Sequence, residues 1–208
     1  MELICFDLDN TLVKSNKIHL TAWKKAFKEL NLPRKTSKEI LEYFSLEGSV
    51  LVRKLFPEKS KKFRKKIVDL HDEYVVNETA MYVKVIPGAK KILKRIKKKH
   101  KIAILSNCKH KEITAIIKAA KIHQNMFDII IGNDEVKHPK PSPDEIQKAM
   151  KKLKIKKGYM VGDSIYDIQA GKKAGLKTVA VATGNHTKTM LKKEKPDVLL
   201  NSIAELNI

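Results

Sequence analysis

Cysteine is nearly missing from this chain. Cys5 and Cys108 are its only two in 208 residues, which excludes a disulfide-stapled scaffold. Cys5 sits inside an apolar run, where cysteine behaves as a small buried hydrophobe. No apolar stretch approaches the ~20 residues of a membrane span, and the start of the chain lacks a basic region followed by an apolar signal segment. A soluble, cytoplasmic protein with no membrane partner is expected. Acidic residues are also scarce: 23 Asp and Glu face 44 Lys and Arg, for a net charge of +21. Aromatics are only 6%, and the basic residues are nearly all lysine. Nucleic-acid surfaces favour arginine with interleaved aromatics, so a nucleic-acid partner is disfavoured. Runs such as Lys65-Lys66 and Lys97-Lys98-Lys99 alternate with periodic apolar residues and read as solvated helix faces. Lysine enrichment is common in hyperthermophile proteins, but acidic residues usually rise with it, and here they do not. The positive field still favours anionic ligands.

With no internal repeat and no low-complexity linker, the 208 residues suffice for one domain, or for one domain carrying another. From Pro87 onward helix and strand patterns alternate. Ala89, Ile92, Leu93 and Ile96 have the i, i+3, i+4, i+7 spacing of an amphipathic helix, and Lys101–Ser106 reads as a buried strand. Ile113, Ile116, Ile117 and Ala120 mark the next helix, and Phe127–Ile131 the next strand. Ser142 as N-cap, Pro143 at the first position and Glu145 at the third start another helix, with Ile146, Ala149, Met150 and Leu153 on one face. Tyr159–Val161 and Thr178–Val181 flank a helix near 165–174, and Val198–Leu200 is a last short strand. This pattern predicts an α/β fold with a mainly parallel sheet. Residues 16–82 differ, showing helix patterns without strands: Ala22, Ala26, Phe27 and Leu30; then Ile40, Leu41 and Phe44, opened by a Thr36–Glu39 capping box; then Phe63, Ile67, Leu70 and Tyr74. About four helices inserted after the first strand are expected.

That first strand, Ile4-Cys5-Phe6, runs directly into Asp7-Leu8-Asp9-Asn10-Thr11-Leu12. If the strand continued, Asp7 and Asp9 would leave one face, and at ~5 Å in an effective dielectric of ~20 their charges would repel by about 3 kcal/mol. Ligands of open parallel sheets bind beyond the carboxyl ends of strands, where the strand order switches. Four polar features fall just past strand ends: Asp7/Asp9, Ser106-Asn107, Lys140 within Lys137–Pro141, and Gly162-Asp163-Ser164-Ile165-Tyr166-Asp167. Singly each has an ordinary reading as a cap, a turn or a solvated lysine. Their succession at strand ends makes coincidence a poor account.

These segments resemble the motifs of the haloacid dehalogenase superfamily of phosphatases and phosphotransferases. "DLDNTL" is similar to its first motif, "LSN" to its second, the lysine of "KPSP" to its third and "GDSIYD" to its fourth; "AGKKAGLKTVAVATG" and "PDVLLNSIAEL" are fainter echoes. The resemblance implies a Rossmann-like core over 1–15 and 83–208, with a helical cap over 16–82 as in phosphoglycolate phosphatase-like and phosphoglucomutase-like members. It implies Asp7 as a nucleophile forming an aspartyl-phosphate, and Asp9 as acid, then base. It further implies Mg²⁺ held by the Asp7 carboxylate, the Asp9 carbonyl and Asp163, with Asp167 acting through water. Ser106, Lys140, Asn107 and Thr11 would contact phosphate, and the Leu8 and Asp9 amides would donate further hydrogen bonds. The like charge of Asp7 is expected to disfavour ionisation of Asp9, although Mg²⁺ pulls the other way. Dehalogenating relatives lack that second aspartate, so its presence points to phosphate esters.

In the insert, the stretch Ser45–Ser49 followed by Arg53 is the candidate specificity loop, with Gly48 permitting a turn and Glu47 and Arg53 reading the leaving group; an ordinary helix connection with an exposed arginine is the alternative. His19 reads as a surface residue. The expected activity is Mg²⁺-dependent hydrolysis of a small phosphorylated metabolite. Alternatives are a sugar-phosphate mutase using the same residues, a phosphatase for nucleotide or nucleic-acid ends suggested only by charge, and a non-catalytic binding protein. The last predicts erosion of positions that are all present. Oligomeric state, monomer or dimer, is left open.

Overall fold

A computed structural model describes residues 1–208. Six strands form one parallel sheet: β1 (Leu3–Phe6), β4 (Lys101–Ser106), β5 (Ile129–Gly132), β6 (Gly158–Gly162), β7 (Lys177–Val181) and β8 (Val198–Leu200), in the spatial order β5-β4-β1-β6-β7-β8. The fold is therefore α/β, as the alternation predicts. β1 lies centrally, with Cys5 facing Ala103 on one side and Met160 on the other. The order of strands reverses there, which opens a crevice at the end of β1.

Because side chains alternate along a strand, the four residues of β1 serve two cores. Ile4 and Phe6 point into one, with Ile92, Leu93 and Ile96 of α5 (Ala89–Lys97) and Ile113, Ile116 and Ile117 of α6 (His110–Ala119). Leu3 and Cys5 point into the other, with Ile146 and Ala149 of α7 (Asp144–Leu153) and Ala170 of α8 (Ile165–Lys173). All four are fully buried, which explains an unbroken apolar strand where a half-exposed one would alternate. α9 (Lys188–Lys193) adds Leu191 against Ile168 and Ala180. Two boundaries differ from the sequence reading. α7 starts at Asp144, with Pro143 rather than Ser142 in the cap position, and β5 starts at Ile129 because Phe127 caps a preceding 3₁₀ turn over Gln124–Met126 and Asp128 lies in a bend.

Four helices lie between the first strand and the rest: α1 (Asn16–Glu29), α2 (Ser37–Glu42), α3 (Gly48–Leu55) and α4 (Lys61–Asn77). They share an apolar cluster of their own that includes Trp23, Phe27, Ile40, Leu51, Val52, Phe56 and Ile67. The Thr36–Glu39 capping box forms as predicted, an arrangement worth about 1 kcal/mol. The chain leaves toward these helices through β2 (Val13–Lys14) and returns through β3 (Lys84–Val85), which pair antiparallel, Val13 with Val85. Two residues per strand leave no periodicity to read, so sequence patterns miss this ladder.

Candidate active site

The backbone of β1 is held to the end of the sheet by the Asp7 amide, which donates to the Val161 carbonyl at 2.9 Å. A tight turn follows, with the Leu12 and Val13 amides donating to the Leu8 carbonyl and Asn10 in the left-handed region at φ 54°. The strand thus ends at Phe6, and Asp7 and Asp9 do not share a pleated face. Asp7 points to the sheet end; Asp9 turns toward the helical insert.

Around Asp7 the termini of three strands converge. Lys140 is buried and spends all three N–H bonds: on Asp7 Oδ1 at 2.7 Å, Asp167 Oδ1 at 2.7 Å and the Leu105 carbonyl at 2.8 Å. Asp167 is the third residue of α8, and its Oδ2 accepts from the Ser164 amide at 3.0 Å and hydroxyl at 2.6 Å while Ser164 caps the helix. Ligand oxygens of Asp7, Asp163 and Asp167 lie within 4.8 Å of one another. Burial drives the Asp7 carboxyl up to about 8, with Lys140 opposing and Asp167 and Asp9 adding to the rise. Burial likewise raises Asp163, helped by Asp7 and Asp167. Carboxylates outnumber cations here, an imbalance that a bound cation would offset. Asp163 Oδ2 is buried with no hydrogen-bond partner, and Gly184 packs so close that a Cβ there would stand 1.6 Å from it. An all-oxygen set with an unspent buried oxygen fits a hard divalent cation such as Mg²⁺.

Three of the residues expected at the phosphate are committed elsewhere. Thr11 is fully buried and its hydroxyl donates to Asp163 Oδ1 at 3.2 Å, so it orients that carboxylate instead of facing the cleft. The Asn107 side-chain amide donates to the Ser45 carbonyl at 2.9 Å and the Lys140 carbonyl at 3.1 Å, tying the insert to the sheet. Lys140 has no free N–H and acts here as a fixed positive charge. Ser106 is buried, accepts from the Cys108 amide at 3.1 Å and keeps its own proton to donate.

Asp9 sits in an environment that the sequence did not suggest. Its Oδ1 is 3.2 Å from His19 Nε2, and Cys108 Sγ donates to its Oδ2 at 3.2 Å. His19 Nδ1 is 3.1 Å from His71 Nε2, and His71 Nδ1 is 3.0 Å from Asp72 Oδ1. Lys109 Nζ closes the chain on Asp72 Oδ2 at 2.6 Å. His19 is therefore buried, not a surface residue: it lies between Asp9 and His71. Burial opposes ionisation of Asp9, yet the His19 cation holds it at about 2. Burial disfavours the His19 cation too, but Asp9 raises it. Burial holds His71 neutral, near 4. The like-charge expectation for Asp9 fails because His19, with hydrogen bonds from Ser15 and Cys108, outweighs burial, and the proton for acid chemistry rests on His19.

α4 exposes why these residues escaped the sequence reading. The apolar spacing used Ile67, Leu70 and Tyr74, but the buried face runs through Ile67, His71, Asp72 and Val75. His71 lies i+4 from Ile67, a signal that a polar residue occupied the core face. Its ring stacks on Trp23 with centroids 3.7 Å apart. Phe44 to Ser49 and Trp23 roof the cleft over Asp7, Asp9, Ser106 and Asp163. Glu47 and Gly48 line it, but Gly48 is the first residue of α3 and makes no left-handed turn; a Cβ there would meet Trp23 at 3.4 Å. Arg53 is exposed on the far turns of α3 and does not line the cleft.

Comparison with known proteins agrees with this geometry. A phosphoglycolate phosphatase from Aquifex aeolicus is 32% identical over 209 residues, covering 99% of this chain and 95% of the relative. A pyrophosphatase, PpaX, from Bacillus mycoides is 28% identical, covering 98% and 94%. Among solved structures, a hydrolase from Pseudomonas syringae superposes with a TM-score of 0.86 at 23% identity, over 99% of this chain and 96% of that one. CbbY from Rhodobacter sphaeroides, solved with phosphate, gives 0.82 at 23% identity, over 100% and 96%. The family described as haloacid dehalogenase-like hydrolase matches residues 4–181, and the chain belongs to it.

Proposed function

We propose that this hydrolase is a Mg²⁺-dependent phosphatase of small phosphorylated metabolites, working through an aspartyl-phosphate. The observation carrying this reading is the pairing of Asp7, with one oxygen held by Lys140, and Asp9, with a proton-bearing histidine at 3.2 Å. The names of the Aquifex phosphatase and Bacillus pyrophosphatase support phosphate chemistry, and the roof of residues 44–49 supports a small substrate.

Lys140 fixes Asp7 Oδ1, which leaves Oδ2 without a hydrogen bond and free to attack phosphorus in line. Asp7, Asp163 with its unpaired Oδ2 and the Asp9 carbonyl would hold Mg²⁺, with Asp167 supporting through water, and the ion would supply charge neutralisation for the phosphoryl group. Asp9, ionised at rest, relays the His19 proton across their 3.2 Å contact to the leaving oxygen. In the second half, Asp9 takes a proton from the water that attacks the phospho-aspartate. Ser106 donates its hydroxyl proton to a phosphate oxygen. Lys140 offsets the charge on Asp7 and Asp167 throughout. We assign residues 16–82 the role of a cap, latched to the sheet by Lys109 with Asp72 and by Asn107 with the Ser45 carbonyl. Cap closure excludes water and completes the site. Glu47 stands where it can contact the leaving group.

The test is a screen of small phosphate esters with Mg²⁺, ranked by kcat/KM. Phosphoglycolate and pyrophosphate head the panel, and both product isomerisation and phosphate release are followed. Release of inorganic phosphate that stops on chelation is expected. Isomerised product without phosphate release would replace hydrolysis by a mutase reaction.

A further inference from the structure

Asp9, His19 and Cys108 bring an oxygen, an imidazole nitrogen and a sulfur to one wall of the cleft. Their separations are 3.2 Å for His19 Nε2 to Asp9 Oδ1, 3.2 Å for Cys108 Sγ to Asp9 Oδ2, and 4.0 Å for Cys108 Sγ to His19 Nε2. A tetrahedral Zn²⁺ with bonds of about 2.0 Å to N and O and about 2.3 Å to S needs ligand separations of about 3.3–3.5 Å. The two short contacts to Asp9 fall on different oxygens, and one ligand atom from each residue lies within 4.8 Å of the others, so side-chain rotation gathers the set into a zinc half-shell. Its composition contrasts with the neighbouring Asp7, Asp163 and Asp167 group, which offers oxygen alone. Thiolate and imidazole select borderline or soft ions over Mg²⁺.

A second, independent feature is the support behind His19. Metal-binding histidines generally hand their other ring nitrogen to a fixed partner, which sets the tautomer. Here His19 Nδ1 is 3.1 Å from His71 Nε2, and His71 Nδ1 is 3.0 Å from Asp72, itself paired with Lys109. With both Nδ1 atoms donating along this chain, His19 Nε2 is the atom left to face the cleft. Trp23 stacked on His71 holds the relay rigid. All three side chains line the cleft.

We propose that Asp9, His19 and Cys108 form a binding site for Zn²⁺ or a similar borderline ion, and that filling it stops turnover. The zinc–sulfur bond forms as the Cys108 S–H proton leaves, and zinc takes the place of the proton on His19 Nε2; no electron transfer is involved. Zinc on the Asp9 carboxylate then blocks proton transfer. This inhibitory consequence rests on the acid–base role given to Asp9 above; the binding site itself does not.

The experiment uses the full chain with excess Mg²⁺. Co²⁺ is titrated as a spectroscopic stand-in, and Zn²⁺ is titrated against phosphate release. Thiolate-to-cobalt charge-transfer absorption is expected in the parent protein and absent in Cys108→Ser and Cys108→Ala. The half-inhibiting zinc concentration should rise at least 10-fold in both variants, each measured relative to its own zinc-free turnover. His71→Gln should weaken zinc binding about 10–100-fold while the charge-transfer band persists at saturation. No sulfur signal in the parent protein overturns the site. Equal zinc sensitivity in parent and variants overturns inhibition at this site and moves it to the oxygen-only carboxylates. A sulfur signal without inhibition keeps the site and overturns the role of Asp9.

Discussion

Replacing Lys140 by methionine keeps the stem's volume and removes one charge that two buried carboxylates share at 2.7 Å each. Lys140 is 4% exposed, Asp7 7% and Asp167 2%, so solvent cannot take over its task. Breaking a buried ion pair by removing one partner costs about 3–5 kcal/mol, because the remaining charge is stranded. At about 2–4 °C per kcal/mol for a chain of this size, the metal-free variant should melt roughly 6–20 °C lower. Mg²⁺ should recover part of that loss, since the carboxylates it would bind are those left unpaired. Turnover should fall about 10²–10³-fold, the scale for losing one preorganised electrostatic partner. Urea and thermal unfolding, each with and without Mg²⁺, measure the first effect. Lys173→Met, at an exposed lysine bonded only to the Pro141 carbonyl, is the control and should shift stability by less than about 0.5 kcal/mol. A metal-free Lys140→Met protein within 1 kcal/mol of the parent would refute the account of Lys140 as the shared counter-ion.

Three further outcomes are expected. Asp7→Asn should abolish phosphate release while leaving the melting temperature of the metal-free protein equal or higher, because the carboxyl it replaces is already driven up to about 8 by burial; residual hydrolysis near the parent's would remove Asp7 from its role. Glu145 is fully buried with neither oxygen paired, and burial raises it from 4.5 to about 7. The folded state then keeps a proton that the unfolded state gives up, so stability falls as pH rises from 4.5 to 7, by about 3 kcal/mol at 1.36 kcal/mol per pKa unit. Glu145→Gln should flatten that slope in urea titrations across this range, and an unchanged slope would exclude Glu145 as its source. His19→Asn should lower kcat more than KM and shift the acid limb of the kcat profile, since Asp9 loses the cation that holds it at about 2; a purely structural role would leave the profile's shape intact.

The core motifs were legible because each is a polar residue placed where an apolar strand stops. Asp7 and Asp163 follow, and Ser106 closes, strands that are buried on both faces near their carboxyl ends. What those residues touch was less legible. Thr11 looks like a phosphate donor in one dimension, but the turn that follows β1 directs it to Asp163, 152 positions away. The His19–His71–Asp72 relay was hidden because its members lie on different helices, and each polar side chain alone reads as solvated. They are buried because each satisfies the next, and Lys109, contributed by the sheet side, completes the set. Arg53 failed for the opposite reason: its spacing after Gly48 suggested one loop, whereas α3 begins at Gly48 and rotates Arg53 away.

The two-residue ladder between β2 and β3 has a consequence for descent. It brings the two crossings into the helical segment side by side, Val13 against Val85 and Lys14 against Lys84. Whatever lies between is a loop whose closure has already been achieved at its base, and doubling such a loop costs only about 0.6 kcal/mol. Lineages can therefore lengthen, shorten or replace the helices without moving the register of the central strands. Catalytic geometry and substrate choice are free to evolve at different rates in one chain.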